Sequence, residues 1–530
     1  MSTSRDGSLV GTSVLLRLHL RRDRWIIAAW SLGAVLLYWS QAVSVDELYA
    51  TQAEFDRAAE SMEGNAAFIA MAGPPRVLNT VGGQVAWQAS AFGAVVAGLM
   101  SMVLAVRHTR AEEESGREEL LRSGVLGRDA STAAAGLVVL VANLVLGAGI
   151  AASLVGYGLP VAGSVSLAVA AALAGLLLGA VALVAAQVFD GARTAYGATG
   201  VVIGAAYVLR AAGDVLDNGL SWASPIGWGQ AMRAYADERW WPALLSVVVV
   251  LLLLGLASAL QRRRDVGAGL RATTAGPADG SVGVLGLAWR LHRGSLVGWS
   301  IAMAFVGVAY GSLGGDVQDL LGDSDLSEAL LAPGAASVTD AFYATAVVML
   351  ALITSAYGIT AALRARAEET AGRVEALLSG PLERRTWILG HTAIAALGSV
   401  VVLTAAGLGT GVSLAAATGD GEQVARITGA TLAYAPAVLV LVALTVLAHG
   451  VAPRAASLGW AALLGCVVVM LFADLWQLPR AVRNLSPFEL LATVPVEPVA
   501  AGPVVALLVL ALALAGVAVW RFERRDLATV

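Results

Sequence analysis

The residue types that most often build catalytic or metal sites are scarce in this sequence of 530 residues. It has one cysteine, Cys466, so no intrachain disulfide and no cysteine metal cluster can form. The five histidines are scattered without the spacing of metal ligands, at His19, His108, His292, His391 and His449. We therefore expect no metal and no other cofactor on this chain.

Lysine is absent altogether, so every basic side chain besides histidine is an arginine. A Walker A loop uses its lysine to reach the phosphates of a bound nucleotide. This chain therefore lacks a nucleotide-binding P-loop of its own, and we do not expect it to hydrolyse ATP.

Charged residues are also few, at 14% of the sequence against 58% apolar residues, with a formal net charge of −4. Such a composition excludes a soluble globular protein, and the near-neutral charge favours no nucleic acid partner. The charges lie in gaps between apolar runs of about 20 residues, the length that crosses a bilayer as a helix. The sequence therefore predicts an all-α polytopic membrane protein.

Twelve apolar runs are predicted to span the membrane, six in each half of the chain. The first six lie at residues 25–43, 85–106, 130–159, 161–188, a run ending near 212, and 244–260. The second six lie at residues 296–313, 341–363, 387–416, 427–449, 458–475 and 499–520. Since each half has an even number of spans, we expect two six-helix repeats of the same orientation, that is, parallel repeats.

A charged stretch between the second and third runs occurs twice, at residues 110–128 and 366–384. The copies agree without a gap at Arg110/Arg366, Ala111/Ala367, Glu112/Glu368, Glu113/Glu369, Gly116/Gly372, Arg117/Arg373, Glu119/Glu375, Leu121/Leu377, Ser123/Ser379, Gly124/Gly380, Leu126/Leu382 and Arg128/Arg384. This agreement predicts an internal duplication. We expect a first half at 1–265, a small and Gly-rich cytoplasmic linker at 266–282, and a second half at 283–530.

Each charged stretch is predicted to form a short helix. Glu113 with Arg117, and Glu369 with Arg373, have the i, i+4 spacing of a helical ion pair. Such a pair either stabilises the helix alone or contacts a partner, and the spacing does not decide between the two. A run of charges between two spans can also be only a solvated loop.

Both stretches contain glycines at matching positions. Gly116 and Gly372 are interior to the predicted helices, where glycine is unfavourable, so a bend or a close backbone approach is expected there. Gly124 in the first copy, and Gly380 followed by Pro381 in the second, are expected to end the helix.

The distribution of arginine predicts the topology. Arg21, Arg22 and Arg24 precede the first run, whereas residues 44–84 and 314–340 are acid-rich. By the positive-inside rule we expect cytoplasmic termini and charged stretches, with the first run a signal anchor rather than a cleaved signal peptide. Residues 15–24 are expected to form an amphipathic surface helix. Trp222, Trp228, Trp240 and Trp241 are typical of interface anchors, and charges at span ends are expected to meet water, at Asp190, Arg193, Arg210, Asp214 and Asp474.

The second charged stretch resembles the coupling helix of ABC-2 type permeases, with the pattern E-x-x-G-x-x-E-x-L-L-x-x-P-x-x-R. The pattern is matched at Glu369, Gly372, Glu375, Leu377, Leu378, Pro381 and Arg384. The first stretch matches at Glu113, Gly116, Glu119, Leu121 and Arg128, but has Val125 where the pattern has proline. The chain as a whole is similar to actinobacterial permeases that export polyketide antibiotics, the tetronasin type.

This resemblance implies the membrane subunit of an ATP-driven exporter in the bacterial plasma membrane, with no enzymatic activity of its own. Two copies of a separate ATP-binding subunit would bind ATP and Mg, and the cargo would be hydrophobic or amphipathic. The implied docking residues are Glu112, Glu113, Gly116, Arg117, Glu119, Leu121, Arg128, Glu368, Glu369, Gly372, Arg373, Glu375, Leu377, Leu378, Pro381 and Arg384. Segments at Ser224, Pro225, Ser486 and Pro487 would form re-entrant helices that close the outer end.

Two other classes compete with an ABC permease. An ion-coupled secondary drug transporter with twelve spans usually needs ionisable residues near the bilayer midplane, and the middles of these runs are almost purely Ala, Val, Leu and Gly. A membrane scaffold without transport would leave the two matching charged stretches without a role. The identity of the cargo does not follow from the sequence.

Overall fold

The computed structural model describes residues 7–49, 51–62, 66–122, 124, 126–264, 269–270, 283–313, 338–380, 382–473 and 477–527. The chain forms two compact units, Met1–Gly276 and Pro277–Val530. The boundary falls within the predicted linker, most of which lies outside the described residues. The acid-rich stretch 314–337 and Asp474 also lie outside them.

Unit 1 is built from helices in the part of the chain that is described. They are α1 (Thr12–Leu48), α2 (Gln52–Met62), α3 (Ala66–Ala72), α4 (Val81–Arg107), α5 (Arg110–Glu114), α6 (Arg117–Arg122), α7 (Ala130–Tyr157), α8 (Val161–Val188), α9 (Ala192–Leu216), α10 (Pro225–Gln230) and α11 (Trp241–Gln261). A single 3-10 turn, Leu220–Ala223, precedes α10.

Unit 2 is helical in the same way. Its described helices are α12 (Val284–Leu313), α13 (Val338–Thr370), α14 (Arg373–Leu378), α15 (Arg384–Thr418), α16 (Glu422–Leu432), α17 (Ala435–Val451), α18 (Leu458–Phe472), α19 (Arg480–Arg483) and α20 (Ala501–Arg524). A 3-10 turn, Pro453–Ser457, joins α17 to α18.

Twelve of the described helical segments are long and apolar enough to cross a membrane, six in each unit. The prediction of an all-α polytopic membrane protein is therefore confirmed. The predicted separation of a surface helix at 15–24 from the first span is wrong, because α1 is one continuous helix of 37 residues. Its length of about 55 Å exceeds the ~30 Å hydrocarbon core, and no proline interrupts it, so its charged first turns extend beyond the bilayer.

The core of unit 1 lies between α1, α4, α7 and α8, which pack through small and aliphatic side chains. Apolar burial does not by itself hold helices together in lipid, so close packing and buried polar contacts carry more of the specificity. One such contact joins α7 to α4, where the Asn143 amide donates to Ser101 Oγ at 2.8 Å with both residues fully buried. In unit 2, α13, α15 and α17 enclose Tyr343, Tyr357 and Tyr434.

The polar segment predicted as an outside loop contains two helices that the sequence did not indicate, α2 and α3. The C-terminal carbonyls of α3 are held by Arg210 of α9, whose Nη2 donates to Ala70 O at 2.9 Å and to Met71 O at 3.0 Å. Tyr207 adds a hydrogen bond from its hydroxyl to Met71 O at 2.7 Å. The prediction that Arg210 and Asp214 meet water is wrong, because their side chains are 0% and 7% exposed. A sequence cannot reveal this, since α3, which covers Arg210, is distant from it along the chain.

Candidate functional site: the two charged stretches

The first charged stretch (residues 110–128) and the second charged stretch (residues 366–384) each bend at a glycine. Gly116 has φ +71° and Gly372 has φ +69°, both in the left-handed region that favours glycine. A Cβ atom at either position would meet nothing within 4 Å. The predicted bend is therefore confirmed, and it is the backbone conformation, not a close approach, that requires glycine.

The bend overturns one predicted set of contacts. Because a left-handed residue interrupts the helix, the i, i+4 partners no longer share a face, and the predicted Glu113–Arg117 and Glu369–Arg373 pairs are wrong. Arg373 Nε lies 2.6 Å from Glu368 Oε2 instead, and Arg117 Nη1 lies 3.8 Å from Glu112 Oε1. Each arginine thus reaches back across the glycine to the carboxylate five positions earlier.

Glu113 is buried at the centre of unit 1's ion-pair network. Arg264, which follows α11, donates to it twice, from Nη2 to Oε1 at 2.6 Å and from Nη1 to Oε2 at 3.0 Å. Arg110 Nη1 adds a third bond to Oε2 at 2.8 Å. The side chains of Glu113 and Arg264 are 7% and 5% exposed, so this is a buried, bidentate ion pair.

Unit 2 holds the same kind of pair at the matching glutamate. Arg525, which follows α20, donates from Nη1 to Glu369 Oε1 at 2.7 Å and from Nη2 to Oε2 at 2.6 Å. His449 Nε2 lies 3.3 Å from Glu369 Oε2. In each unit, therefore, a glutamate of the charged stretch binds the arginine that follows the last membrane-spanning helix.

A second link joins each charged stretch to the end of the same helix. Arg128 Nη2 donates to Arg262 O at 3.0 Å, and Arg384 Nη1 donates to Arg525 O at 2.8 Å. The last carbonyls of a helix lack intrahelical partners and lie at its negative end, where a cation is favoured. In each unit, residues near both ends of the charged stretch therefore bind the C-terminal end of the last span.

The first charged stretch also binds the start of α9. Glu114 Oε1 accepts a hydrogen bond from Ala192 N at 2.6 Å. A carboxylate at a helix N-terminus satisfies a free N–H group and complements the helix dipole. Sequence reasoning missed Glu114, since the second stretch has Thr370 at this position.

Helix α1 is joined to the same region. Arg22 Nη1 lies 2.6 Å from Glu112 Oε1. Asp23, which is 0% exposed, lies 2.7 Å from His108 Nε2 and 3.2 Å from Arg107 Nη2 at the end of α4. The N-terminal part of α1 is therefore bound to the charged stretch and to the end of α4 by two adjacent residues.

Histidines that are far apart in the sequence are brought together in each unit. His19 stacks on His108 with ring centroids 4.0 Å apart, and His292 Nε2 lies 3.2 Å from His391 Nδ1. The repeated Arg-Leu-His at residues 17–19 and 290–292 was the only signal in the sequence for one member of each pair. Within the described residues, no group of three or more possible metal ligands is present.

The predicted docking residues divide into an inward and an outward set. The side chains of Glu112, Glu113, Glu368 and Glu369 are at most 7% exposed, so they hold the stretch in place rather than offer a surface. The outward set is exposed: Arg117, Glu119, Arg373 and Glu375. Leu377 and Leu378 pack partly buried against the core of unit 2. Arg128 and Arg384 bind the end of the last span. The Leu121 side chain and Pro381 lie outside the described residues.

The two predicted re-entrant segments differ from each other. Ser224 caps α10, accepting a hydrogen bond on Oγ from Ile226 N at 3.2 Å, and Pro225 opens the helix. The prediction of a helix at Ser486 and Pro487 is wrong, because the backbone there forms turns with i to i+3 hydrogen bonds, such as Glu489 N to Ser486 O at 3.2 Å. A Ser-Pro pair starts either structure, so the sequence does not separate them.

Comparison with known proteins places the chain in a family. Residues 282–523 match the family described as "Multidrug efflux system permease Rv1217c, C-terminal domain". Over 98% of its length the chain is 37% identical to the multidrug efflux system permease protein Rv1217c of Mycobacterium tuberculosis, and it covers 96% of that protein. The chain belongs to this family of multidrug efflux system permeases. The resemblance to drug-exporting permeases is thereby confirmed at this level, and the protein is a multi-pass membrane permease.

In the part of the chain that is described, the two charged stretches are bound to the membrane helices of their own units. Each charged stretch is a bent segment whose inner carboxylates bind the last span, and in unit 1 also α1 and α9. Bidentate arginine–carboxylate pairs fix both distance and orientation. A displacement of the outward face would therefore move several membrane helices of the same unit together.

Proposed function

We propose that this permease is the membrane subunit of an ATP-driven ABC exporter of the ABC-2 type. Two copies of a separate ATP-binding subunit would supply ATP and Mg, and the cargo would be hydrophobic or amphipathic compounds such as antibiotics. The observation that carries the proposal is the same contact in both units, Glu113 with Arg264 and Glu369 with Arg525.

Force transmission is the physical reason for this assignment. A charged stretch that docked a partner but was loosely attached would flex when pushed. Here Glu113 connects the stretch to the end of α11, Glu114 connects it to the start of α9, and Glu112 connects it to α1. Buried ion pairs are costly to break one partner at a time, so these contacts favour rigid motion of the three helices.

The outward set is the proposed docking surface. The side chains of Arg117 and Arg373 are 63% and 60% exposed, and Glu119 and Glu375 face outward at matching positions. Two matching surfaces on one chain fit a partner that is itself present twice. The absence of lysine fits an ATP site on that partner rather than on this chain.

The topology follows from the number of spans. Each charged stretch comes after the second of six spans in its unit, so a cytoplasmic N-terminus places both stretches and the C-terminus in the cytoplasm of the bacterial cell. We infer that the two units, joined by the linker, derive from an internal duplication. The surfaces around Ser224, Pro225, Ser486 and Pro487 would then lie at the outer end of the permease.

An ion-coupled secondary drug transporter is the second candidate, and one observation favours it. Asp23 is fully buried against His108 and Arg107, which is the kind of ionisable cluster that relays protons in such carriers. The cluster lies next to the first charged stretch rather than in the middle of a span, because α4 ends at Arg107. This position fits an anchoring role better than a relay.

Co-purification tests the proposal. A candidate ATP-binding subunit would be co-expressed with the wild-type chain, with Glu119→Arg plus Glu375→Arg, and with the matched control Glu60→Arg plus Glu422→Arg on other exposed glutamates. We expect two ATP-binding subunits per wild-type or control chain, and loss of the complex in the first variant. A folded wild-type chain that binds no ATP-binding subunit, and that exports drugs on a proton or sodium gradient alone, would favour the carrier.

A further inference from the structure

A cavity of about 400 Å³ lies in unit 1 at the end opposite the first charged stretch. Helix α9 defines the two ends, because its first residue, Ala192, binds Glu114 and its last turn, at Gly213 and Asp214, lines the cavity. The residues that define its chemistry are three arginines, two aspartates and two tryptophans: Arg76, Arg233, Arg239, Asp214, Asp217, Trp222 and Trp241. The cavity therefore joins cationic and aromatic walls at one end of the helix bundle.

The aromatic wall is formed at the start of α11. Trp222 and Trp241 stack with ring centroids 5.1 Å apart and planes 16° apart, and both are about half exposed. Pro74 and Pro75 complete the apolar lining. These groups can bury an aliphatic or planar body, as the walls of small-molecule sites commonly do.

Two of the three arginines in the cavity already have a carboxylate. Asp237 accepts hydrogen bonds from Arg233 Nη1 at 3.0 Å and from Arg239 Nη2 at 2.8 Å. These contacts hold the pKa of Asp237 at about 2, well below its usual value, so the pair of arginines is neutralised in part by a firmly ionised group. The carboxylate of Asp214 pairs with Arg210, with Oδ2 lying 3.6 Å from Arg210 Nη1.

Arg76 is different. Its Nη1 donates to Gln230 O at 3.0 Å, and among the described residues no carboxylate oxygen lies within 4.0 Å of its guanidinium. Burial, followed by the charge of Arg233, lowers the pKa of Arg76 from its usual value. The charges of Asp214 and Asp237 act on Arg76 in the opposite direction, but from beyond ion-pair distance. A guanidinium has five N–H donors, so Arg76 has donors left for an anion in the cavity. Arg76 also lines a second, smaller cavity of about 40 Å³ beside Gln230 and Ser90, so its side chain borders open space on two sides.

The segment between the fifth and sixth spans carries two arginines in each unit, Arg233 and Arg239 in unit 1 and Arg480 and Arg483 in unit 2. In unit 1 both arginines line the cavity together with Arg76. The support for a ligand is therefore the cavity that these side chains enclose, not the presence of arginine alone.

We propose that this cavity binds an amphiphile with one anionic head group, the head on the Arg76 guanidinium and the apolar body against Trp222 and Trp241. A phospholipid and an anionic exported compound share this chemistry. The inference does not rest on ATP-driven export, because binding needs only unit 1 of the permease. Its failure would leave the proposed docking of an ATP-binding subunit untouched.

The test measures equilibrium binding of octanoate to the full chain in phosphatidylcholine nanodiscs at neutral pH, with empty nanodiscs as the blank. Octanamide serves as the neutral isostere and acetate as the head group alone. We expect octanoate to bind, and both controls to bind at least about tenfold more weakly, the loss that follows when a charge-assisted hydrogen bond is removed. Dihexanoyl phosphatidylglycerol is added as a competitor: displacement identifies lipid as an occupant, and no displacement identifies a carboxylate compound.

Variants locate the site. We expect Arg76→Gln to weaken octanoate binding about tenfold and Arg76→Lys to retain most of it, whereas Arg57→Gln, on exposed α2, leaves it unchanged. If Arg76→Gln does not fold, Arg239→Gln decides, since its side chain is 45% exposed and its loss should weaken binding about fivefold. The proposal is overturned if octanamide binds as tightly as octanoate, or if the folded arginine variants bind octanoate as the wild type does.

Discussion

Glu369 and Arg525 form a buried bidentate ion pair across 156 residues of sequence, with N–O distances of 2.7 and 2.6 Å. The contact joins the second charged stretch to the end of α20. A glutamate in the last turn of α13 is thereby bound to the end of the last span of unit 2. Its counterpart in unit 1, Glu113 with Arg264, spans 151 residues.

Removing the carboxylate of Glu369 should destabilise the permease. We expect Glu369→Gln to lower the free energy of unfolding by about 3–5 kcal/mol, because Arg525 is left buried without its charge partner. Chemical unfolding in mixed micelles, followed by tryptophan fluorescence, measures the change. The control is Glu375→Gln on the exposed face of the same stretch, expected within about 0.5 kcal/mol of the wild type. Equal stability of the two variants would refute a buried pair.

The bends at Gly116 and Gly372 predict a conformation-specific cost of alanine. We expect each Gly→Ala change to cost about 1–2 kcal/mol, since an L residue is strained in the left-handed region. Gly421→Ala is the matched control, because Gly421 has φ −66° and equally open space around its Cβ position. Melting temperatures in detergent compare the three variants, and a loss at Gly421 as large as at Gly372 would argue against this explanation.

A substitution of Asp23 distinguishes an anchoring role of this residue from a role as a proton relay. We expect Asp23→Asn to reduce stability by about 1–3 kcal/mol, because His108 and Arg107 lose a buried acceptor. ATP-driven export in proteoliposomes without an ion gradient should continue. Glu47→Gln, exposed on the same helix, is the control for stability. Export that needs both Asp23 and a proton gradient would instead identify a carrier.

The contact between Asn143 and Ser101 should contribute modestly to the packing of α7 on α4. A double-mutant cycle of Asn143→Ala and Ser101→Ala is expected to give a coupling free energy of about 0.6 kcal/mol, and no more than about 1.7 kcal/mol, as for other hydrogen bonds between membrane helices. Unfolding in mixed micelles measures each corner of the cycle. A coupling near zero would mean that the 2.8 Å hydrogen bond adds nothing to helix association.

The spans were predictable because apolar runs of about 20 residues have few other uses. Their ends were not, since the continuation of α1 through Arg17–Arg24 depends on contacts such as Arg22 with Glu112. The sequence indicated a bend at Gly116 and Gly372. The ion pairs, however, were predicted for an unbroken helix, and because of the bend Arg373 pairs with Glu368 instead of Glu369.

Long-range partners were beyond a single sequence. Nothing local connects Glu113 to Arg264, or His292 to His391, because each pair is brought together by the folding of a whole unit. The cavity around Arg76 was missed for the same reason. Its walls come from two separate segments between spans and from the adjoining ends of α9 and α11. One of those segments contains α3, which was not indicated by any apolar periodicity.

Export by reconstituted complexes tests the central claim, that the buried glutamates transmit ATP-driven motion to the spans. Proteoliposomes would contain the ATP-binding subunit with the wild-type permease, with Glu113→Gln plus Glu369→Gln, or with the exposed control Glu60→Gln plus Glu422→Gln, and ATP turnover and efflux of a fluorescent drug would be recorded together. We expect the buried double variant to bind its partner and hydrolyse ATP while its efflux per ATP falls at least about tenfold. Efflux per ATP equal to that of the wild type, from a folded complex, would contradict the account.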